Sequence, residues 1–349
     1  MLIIITSVYP DNSSGIGSYT FKLASYLKNN YDLKILVRQN KKVINTKDIV
    51  QLKFSIISIS RNLKKIGNNK IAILQLPFTG CCFSNLSSIF FSLLLYIRGN
   101  EVILVIHEYK NVNLLRRLSI SLSSIFSNYL IFTHKNNLFE FSKKFINKKI
   151  EFIPIASNIS KKNDEYANFR SNTIVSFSLF YRDKHVKESL VLFNSFNRDS
   201  NKYNFKLIGS DINNVYYKEL LSLIDNSNNK IYKDKEEYEI DELLLNSFLS
   251  IQLYNDGASI RRGTLLTMAE RGIPIITNKG KFSEDLKQLE GKGIFYINNK
   301  SDFKDIIEML SEDEEFYYKC SFNLIDFAKE FSFPLIAKKY NKVIESFSK

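Results

Sequence analysis

Cysteine, long apolar runs and a leader segment are scarce or absent in this sequence, and each scarcity excludes a class of protein. The three cysteines, Cys81, Cys82 and Cys320, form neither a metal-site spacing nor an even disulfide framework, so a reducing compartment is expected. The longest apolar run, residues 87–97, is shorter than the about 20 residues that a membrane-spanning helix needs, and predicts a buried or interfacial helix. The apolar N-terminus lacks a basic leader and predicts a first strand rather than a signal peptide. These absences predict a cytoplasmic protein.

Acidic residues are also scarce, but only in the first half of the chain. Residues 1–158 contain 16 lysines, 5 arginines and 7 acidic residues, whereas the rest contains 28 basic and 29 acidic residues. The net charge of +13 therefore belongs to the first half, which predicts an anionic partner there, such as a membrane surface. Single clusters such as Arg61, Lys64 and Lys65 also fit an ordinary solvated face. Nucleic acid is not expected, because the charge is not interleaved with aromatic residues along a recognisable RNA- or DNA-binding module.

What the sequence does contain is an alternation of short apolar strands with amphipathic helices, which predicts an α/β fold with parallel sheets. The predicted strands are Leu2–Thr6, Leu33–Val37, Ile71–Leu76, Val102–Ile106, Tyr129–Thr133, Ile150–Ile155, Thr173–Ser178, Phe205–Ile208, Phe248–Leu253 and Ile273–Thr277. The predicted helices are 19–29, 84–97, 112–127, 136–146, 186–196, 215–224, 239–246 and 264–271.

Two domains are expected from the length of 349 residues. A polar, aperiodic stretch at residues 157–172 separates two strand–helix alternations and predicts a linker. The predicted domains are 1–158 and 159–330, followed by a terminal helix within 331–349. Ser332 is the predicted N-cap of that helix, and one face of the helix is apolar. The residues of the face are Phe333, Ile336, Ala337, Tyr340 and Ile344.

One stretch, from Asn255 to Thr277, combines a polar loop with a helix start and a buried strand. Its loop carries Asp256, and Arg261 and Arg262 stand immediately before Gly263 and Thr264, where the helix is predicted to begin. The free backbone N–H groups of a helix start attract phosphate, and arginine forks add bidentate contacts. Ligands of open parallel sheets bind beyond the carboxyl ends of strands, and this loop follows such an end. The stretch therefore predicts an anion site.

Two further loops follow predicted strands and carry glycines or cations. In the loop at residues 13–18, Gly15 and Gly17 allow tight turns and close backbone approach, although an ordinary strand–helix turn fits the spacing equally well. After the strand at 173–178, Arg182 and Lys184 stand where they reach a diphosphate, and two exposed loop cations are the alternative.

A histidine and a glutamate directly follow the strand Val102–Ile106. His107, at the carboxyl end of that strand, can accept or orient a proton, and Glu108 can orient it or bind sugar hydroxyls. A purely structural role for His107 is the alternative.

These motifs resemble those of two-domain glycosyltransferases of the GT-B fold, in the large retaining group called family 4, over nearly the whole chain and in the same order. SSGIGSYTFKLASYL resembles the family's GGIGRYT loop and helix, and VIHEYKNVNLLRRLSI resembles a subgroup's strand, His-Glu pair and helix. FIPIASNI is similar to the segment that leads into the linker. DGASIRRGTLLTMAERGIPIIT is similar to the DGxSxRRGxL donor loop, and FSFPLIAKKYNKVI to the closing FSWxxIAxxY helix.

The resemblance implies two Rossmann-like domains that face a cleft, with the closing helix crossing back to the first domain. It implies transfer of a hexosyl or N-acetylhexosaminyl group, with retention, from a nucleoside-diphosphate sugar to a glycan or polyprenyl-diphosphate-linked acceptor in bacterial surface polysaccharide synthesis. Such an acceptor suits a protein peripheral on the inner face of the cell membrane. No cofactor and no metal are implied, and the sequence has no DxD pair. The implied catalytic residues are His107 and Glu108, and the implied donor-binding residues are Gly15, Gly17, Arg182, Lys184, Asp256, Ser259, Arg261, Arg262, Gly263, Thr264 and Glu270.

Two departures from the family bear on the donor. Many members carry two glutamates eight residues apart around this loop, and Ser259 and Thr267 stand at the equivalent positions. The usual ribose-binding carboxylate is therefore missing, unless Glu270, nearly a turn later on the same predicted helix, substitutes for it. Ser178 and Leu179 replace an expected glycine and arginine. Two alternatives stay open, a GT-B-like nucleotide-sugar epimerase and a non-catalytic binding subunit.

Overall fold

A computed structural model describes the protein in residues 1–9, 14–40, 46–78, 84–109, 112–143, 145, 147–157, 159, 161, 166–198, 202–211, 215–224 and 229–347. The chain divides into two compact units, one formed by Met1–Ile155 with Phe333–Lys349 and the other by Ala156–Ser332. Of the residues singled out above, Ser13, Cys81 and Cys82 lie outside the described ranges. Cys320 is buried.

The first unit is built on a seven-stranded parallel sheet. Its strands are β1 (Leu2–Thr6), β2 (Leu33–Arg38), β3 (Ile49–Leu52), β4 (Ile71–Leu76), β5 (Glu101–Ile106), β6 (Tyr129–Phe132) and β7 (Lys149–Phe152). Its helices are α1 (Gly15–Leu27), α2 (Ile56–Ile66), α3 (Ser84–Ile97), α4 (Leu114–Ile125), α5 (Lys135–Ser142) and, at the end of the chain, α12 (Phe333–Glu345). The strand order β3-β2-β1-β4-β5-β6-β7, which changes direction between β1 and β4, is that of a doubly wound sheet.

The terminal helix α12 belongs to this first unit and contacts α1. The five residues predicted for its apolar face are all buried. The ring of Phe333 lies 6.0 Å from that of Tyr26 and 5.7 Å from that of Tyr19. The Tyr19 hydroxyl also donates to the hydroxyl of Tyr340 at 3.3 Å. The predicted closing helix is therefore confirmed, and its return to the first unit rests on buried aromatic contacts.

The second unit has a six-stranded parallel sheet. Its strands are β8 (Thr173–Phe177), β9 (Asn204–Gly209), β10 (Asn229–Lys233), β11 (Leu249–Gln252), β12 (Ile275–Thr277) and β13 (Ile294–Tyr296). Its helices are α6 (Val186–Asn197), α7 (Val215–Leu221), α8 (Glu237–Leu245), α9 (Gly263–Glu270), α10 (Lys300–Glu312) and α11 (Glu314–Lys329), with 3-10 segments at Arg182–Lys184 and Ser283–Leu289. The order β10-β9-β8-β11-β12-β13 again changes direction, between β8 and β11.

The predicted α/β class with two Rossmann-like sheets is confirmed. Helices α2 and α10 were not predicted, and neither were three strands at the sheet edges. Strands β3, β10 and β13 were not predicted, and each is an edge strand of its sheet. An edge strand is less covered by helices, so its sequence need not be a continuous apolar run; β10, for example, reads NKIYK. Among the described residues, no helix combines the length and apolar character that crossing a membrane requires.

Candidate functional site

The predicted donor loop lies at the carboxyl end of β11, at the point where the strand order of the second sheet changes direction. Strands β8 and β11 are hydrogen-bonded neighbours there. The loops that follow such a pair diverge and leave a crevice in which α/β sheets bind ligands. The loop after β8 contains the turn Arg182–Lys184, and the loop after β11 contains residues 253–262. Two of the predicted donor segments therefore follow neighbouring strands of one sheet.

Asp256 holds two arginines of its own loop. Arg261 Nη1 donates to Asp256 Oδ2 at 3.4 Å, and Arg262 Nη2 donates to Asp256 Oδ1. Each guanidinium also lies over an aromatic ring, Arg261 at 5.0 Å from the centroid of Phe282 and Arg262 at 4.8 Å from that of Tyr254. Stacking and the ion pairs together keep both forks in place before any ligand arrives. Because one carboxylate cannot neutralise two guanidiniums, the cluster carries a net positive charge.

Tyr254 connects this cluster to helix α9 and to the end of β12. Its hydroxyl lies 3.0 Å from Thr264 Oγ1. Its backbone N–H donates to Asn278 Oδ1 at 2.8 Å, and its carbonyl accepts from Asn278 Nδ2 at 2.7 Å. Burial raises the pKa of Tyr254 to about 12, so the phenol keeps its proton at neutral pH. Two backbone hydrogen bonds and one from the phenol therefore hold Tyr254 under Arg262.

Gly257 permits the sharp turn that follows Asp256. Its φ is +82°, a conformation that side chains rarely adopt, and a Cβ atom there would lie 2.3 Å from the backbone nitrogen of Gly280. The two loops that end β11 and β12 thus touch through their backbones, and a hydrogen bond from Ala258 N–H to the Asn278 carbonyl at 3.0 Å joins them. Glycine is required at position 257 for both reasons.

Helix α9 begins at Gly263, directly after the arginine pair. Arg262 occupies the N-cap with an extended backbone, and its side chain makes no capping hydrogen bond. Gly263 is buried and Thr264 is half-buried. First-turn N–H groups carry partial positive charge, so the helix start adds to the charge of the arginines. The structure therefore brings together the side chains of Asp256, Arg261, Arg262 and Thr264, and anion binding by this cluster stays a prediction.

The two positions at which many family members carry glutamate are internal in this protein. Ser259 and Thr267 are both buried. The Thr267 hydroxyl donates to the carbonyl of Gly263 at 2.8 Å and lies 3.0 Å from the hydroxyl of Ser157. Small residues with hydroxyl groups occupy both positions. The hydroxyl of Thr267 holds the first turn of α9 to the segment that precedes β8.

Glu270 is the last residue of α9, at the end of the helix opposite the arginine pair. Its Oε2 lies 3.6 Å from Nη1 of Arg271. Arg271 is fully buried, donates from Nε to Asp241 of α8 at 2.9 Å and donates from Nη1 to the Thr267 carbonyl at 3.0 Å. The ion pair between Arg271 and Asp241 anchors the C-terminal end of α9 to α8. The predicted ribose-binding role of Glu270 stays a prediction.

The two predicted donor-binding cations of the loop after β8 differ from each other in exposure. Arg182 is largely exposed and donates to Glu219 of α7 at 3.3 Å, and Lys187 shares the same carboxylate at 2.8 Å. Lys184 is half-buried at the end of the 3-10 turn. His185, which follows, adopts φ +47° and ion-pairs with Glu188 at 3.3 Å when protonated. Donor binding by Arg182 and Lys184 stays a prediction.

In the first unit, His107 is buried at the carboxyl end of β5. Its Nε2 lies 2.7 Å from Oε1 of Gln75 on β4, and its ring lies edge-on to Tyr19 at 5.1 Å. Burial lowers the pKa of His107 to about 4, so the imidazole is neutral at pH 7. Glu108, the next residue, is exposed. Gln75 was not predicted as a site residue, although a glutamine inside the apolar strand IAILQL was a signal, because buried polar side chains are hydrogen-bonded.

Gly15 and Gly17 lie in the first turn of α1 rather than in a loop, so the expected boundary of that helix is corrected. Ser14 is the N-cap and accepts from the Gly17 N–H at 3.2 Å. Neither glycine has a positive φ, so a tight turn is not the reason for them. A Cβ atom on Gly15 would meet nothing within 4 Å. Gly15 is exposed and Gly17 is buried, and ligand binding by the two glycines stays a prediction.

A cavity of about 430 Å³ lies between α6, α10 and the carboxyl ends of β11, β12 and β13. Its lining includes Val191, Leu192, Leu253 and Asn278, and Asn278 is the residue that fixes Tyr254. It contains none of the predicted donor-binding residues. Among the described residues, no three or more histidine, cysteine, aspartate or glutamate side chains are grouped as metal ligands would be, and metal independence stays a prediction.

Comparisons with known proteins agree on the fold. No protein-family model matches the sequence, and no curated protein matches it. The structure is similar to sucrose-phosphate synthase from Thermosynechococcus elongatus, with 10% identity and a TM-score of 0.72 over 99% of this chain and 98% of that one. It is also similar to a trehalose-6-phosphate synthase, with 10% identity and a TM-score of 0.70 over 99% of both chains. A third is WaaG, a glycosyltransferase involved in lipopolysaccharide biosynthesis, with 11% identity and a TM-score of 0.67 over 99% of both chains. The chain has the GT-B fold of these glycosyltransferases, as the resemblance predicted.

Proposed function

We propose that the protein is a glycosyltransferase that uses a nucleoside-diphosphate sugar as donor. The observation that carries the proposal is the convergence of Arg261 and Arg262 on Asp256 beside the start of α9. This cluster follows β11, where a GT-B unit offers a ligand crevice. A diphosphate would meet two preorganised forks and the N–H groups of a helix start, which are the donors that phosphate oxygens require.

The cluster has the charge that sugar transfer needs. In the reaction the bond between the sugar C1 and the diphosphate oxygen breaks, a bond from C1 to an acceptor hydroxyl oxygen forms, and the proton of that hydroxyl passes to the departing diphosphate oxygen. Negative charge grows on the departing diphosphate, and fixed cations aimed at it lower the barrier because they need not reorganise. We assign this role to Arg261, Arg262, Gly263 and Thr264, with Asp256 keeping the two arginines in position.

The first unit is proposed to bind the acceptor and to supply His107 and Glu108. A neutral imidazole whose Nε2 is bonded to Gln75 leaves Nδ1 to accept a hydrogen bond from a sugar hydroxyl. Glu108 is exposed at the same end of β5 and is proposed to bind a further hydroxyl. The excess of basic residues in 1–158 supports an anionic acceptor, either a glycan or a polyprenyl-diphosphate-linked one.

The finer assignments rest on the family resemblance. We propose retention of configuration, a hexosyl or N-acetylhexosaminyl donor, independence of metal, and a role in bacterial surface polysaccharide synthesis. One structural neighbour is a glycosyltransferase of lipopolysaccharide biosynthesis, and another was studied for glycosyltransfer with retention, which supports the first and last of these proposals.

The function is tested by incubating the purified protein with a panel of nucleoside-diphosphate sugars and following release of the nucleoside diphosphate, with and without polyprenyl-diphosphate or glycan acceptors and with and without EDTA. We expect release that depends on one donor and rises with acceptor. Conversion of the donor to an isomeric nucleotide sugar would identify an epimerase instead. Donor binding without turnover under any acceptor would identify a binding subunit.

A further inference from the structure

Helix α4 of the first unit exposes its leucines to solvent. Leu114, Leu115 and Leu118 are 79%, 67% and 54% exposed, and Leu122 and Ile125 are exposed as well. Positions 114, 118, 122 and 125 follow one another at helical spacing, so they share one side of the helix. We call these five residues the α4 face. An apolar strip along a whole helix is unusual on a surface that meets only water.

The buried residues of α4 are three serines, Ser119, Ser123 and Ser124, together with Ile120. Ser119 and Ser123 contact Ser88 of α3, with hydroxyl–hydroxyl distances of 2.7 and 3.2 Å. Ser124 donates to the carbonyl of Ile120 at 2.8 Å. Turning the leucines inward would break these buried hydrogen bonds and leave polar atoms without partners. The outward direction of the α4 face is therefore built into the packing of α3 on α4.

The exposed apolar surface continues onto the end of α3. Tyr96 and Ile97 are both exposed. The Tyr96 ring lies 6.4 Å from the ring of Phe126, which follows Ile125 directly. The end of α3 and the end of α4 thus present apolar side chains next to each other, which widens the strip at that end.

The charged residues of the helices next to this surface are of one sign. The contacting helices α2, α3 and α4 contain no aspartate or glutamate. The basic residues on and directly after these helices include Arg61, Lys64, Arg98, Arg116 and Arg117. A second copy of the chain would bring the same positive charge to an isologous contact, which opposes self-association through this face. Apolar side chains flanked by cations are suited to a partner with an apolar interior and an anionic outer layer.

We propose that the α4 face docks on a bilayer that contains anionic lipid, with α4 lying in the plane of the headgroups. The 12 residues of α4 give a length of about 18 Å, which suits a helix lying in the interface rather than crossing it. The leucines enter the boundary of the acyl chains, and Arg116 and Arg117 meet phosphate groups. This proposal does not depend on sugar transfer and stands or falls by lipid binding alone.

Vesicle binding tests the proposal. We expect the wild type to co-sediment with phosphatidylcholine vesicles that contain phosphatidylglycerol, and to bind pure phosphatidylcholine weakly. A Leu115→Ser/Leu118→Ser variant should bind the anionic vesicles at least about tenfold more weakly, because each leucine contributes buried apolar area. Phe322→Ser is the matched control, since Phe322 is 63% exposed on α11 of the other unit and should leave binding unchanged.

The absence of tryptophan from the chain makes insertion directly visible. In Leu118→Trp the single indole should shift its emission to the blue on anionic vesicles and be quenched by brominated acyl chains. In Phe322→Trp it should do neither. Quenching would show that the α4 face enters the bilayer, whereas adsorption by charge alone would leave the indole unquenched and overturn the insertion.

Three results would overturn the proposal. The first is a wild type that does not bind anionic vesicles, and the second is a leucine variant that binds them as the wild type does. The third is a dimer in light scattering that Leu115→Ser/Leu118→Ser converts to a monomer without any change in vesicle binding. The last result would assign the α4 face to a second copy of the chain. Because the substituted leucines are exposed, loss of folding does not explain a loss of binding, and circular dichroism checks this.

Discussion

The imidazole Nε2 of His107 lies 2.7 Å from the amide oxygen of Gln75, and this contact sets the tautomer of the histidine. An amide oxygen only accepts hydrogen bonds, so Nε2 carries the proton and Nδ1 carries the lone pair. Both residues are buried, and burial lowers the pKa of His107 to about 4. Burial keeps the proposed sugar-binding histidine neutral, and Gln75 is a positioning residue that orients its ring.

Replacing that amide by a carboxylate should charge the histidine. In Gln75→Glu a carboxylate lies beside Nε2 and stabilises the imidazolium, so we expect the pKa of His107 to rise by roughly 1 to 3 pH units. An NMR titration of the imidazole nitrogens measures this in a chain with only three histidines. Gln75→Met keeps the volume without charge and should leave the pKa of His107 low. An unchanged titration in Gln75→Glu would remove Gln75 from this role.

Acid should destabilise the first unit through the same histidine. The pKa of His107 is about 4 in the folded protein and 6.5 for an unperturbed histidine, so between these values the unfolded chain binds a proton that the folded chain does not. Stability therefore falls as the pH falls from 6.5 to 4, by roughly 2 to 3 kcal/mol from this group. Urea unfolding at pH 7 and pH 4.5 measures it. His107→Asn, which cannot take up the proton, should lose correspondingly less stability between the two pH values; an equal loss would contradict the assignment.

The donor loop should not tolerate a side chain at position 257. Gly257→Ala places a methyl group against the backbone of Gly280 at a positive φ, and we expect a loss of about 3 kcal/mol or more together with loss of donor binding. Gly291→Ala is the control, because its φ is also positive, +70°, yet nothing lies within 4 Å; its cost should be about 1 kcal/mol. Equal costs in urea unfolding would show that the contact with Gly280 is not limiting.

Introducing a glutamate of the family that the sequence resembles should not create a ribose contact. Thr267 is fully buried and its hydroxyl is bonded within the protein, so Thr267→Glu buries a carboxylate and should lower stability by about 3 kcal/mol. Thr267→Val, which removes only the hydroxyl, should cost about 1 kcal/mol. Urea unfolding measures the loss of stability in both variants, and nucleotide titrations measure donor binding by Thr267→Glu. A stable Thr267→Glu variant with tighter donor binding would show that this face of α9 meets the ligand.

The features that could be predicted from the sequence are those that apolar runs and turn residues determine. Central strands such as β4 and β5 are buried on both faces and were recognisable, whereas the edge strand β10, with its polar residues, was not. The loop from Asp256 to Thr264 was predicted as an anion site because arginines and a helix start are adjacent in sequence. The ring of Tyr254 under Arg262 was not, because this contact depends on how the loop folds back. Gly15 was placed in a loop, although Ser14 was available as an N-cap that starts α1 earlier.

The central claim is that the arginine pair binds the diphosphate of the donor. Calorimetric titration of a set of nucleoside diphosphates into the wild type, Arg262→Ala and Lys287→Ala tests it most directly; Lys287 is an exposed lysine of the same unit whose ion pair with Glu284 lies on the surface. We expect one nucleoside diphosphate to bind the wild type and Lys287→Ala alike, and Arg262→Ala to bind it about 10- to 100-fold more weakly, because a charge-assisted contact is lost. Equal affinity of Arg262→Ala and the wild type, or no binding of any nucleoside diphosphate, would contradict the account.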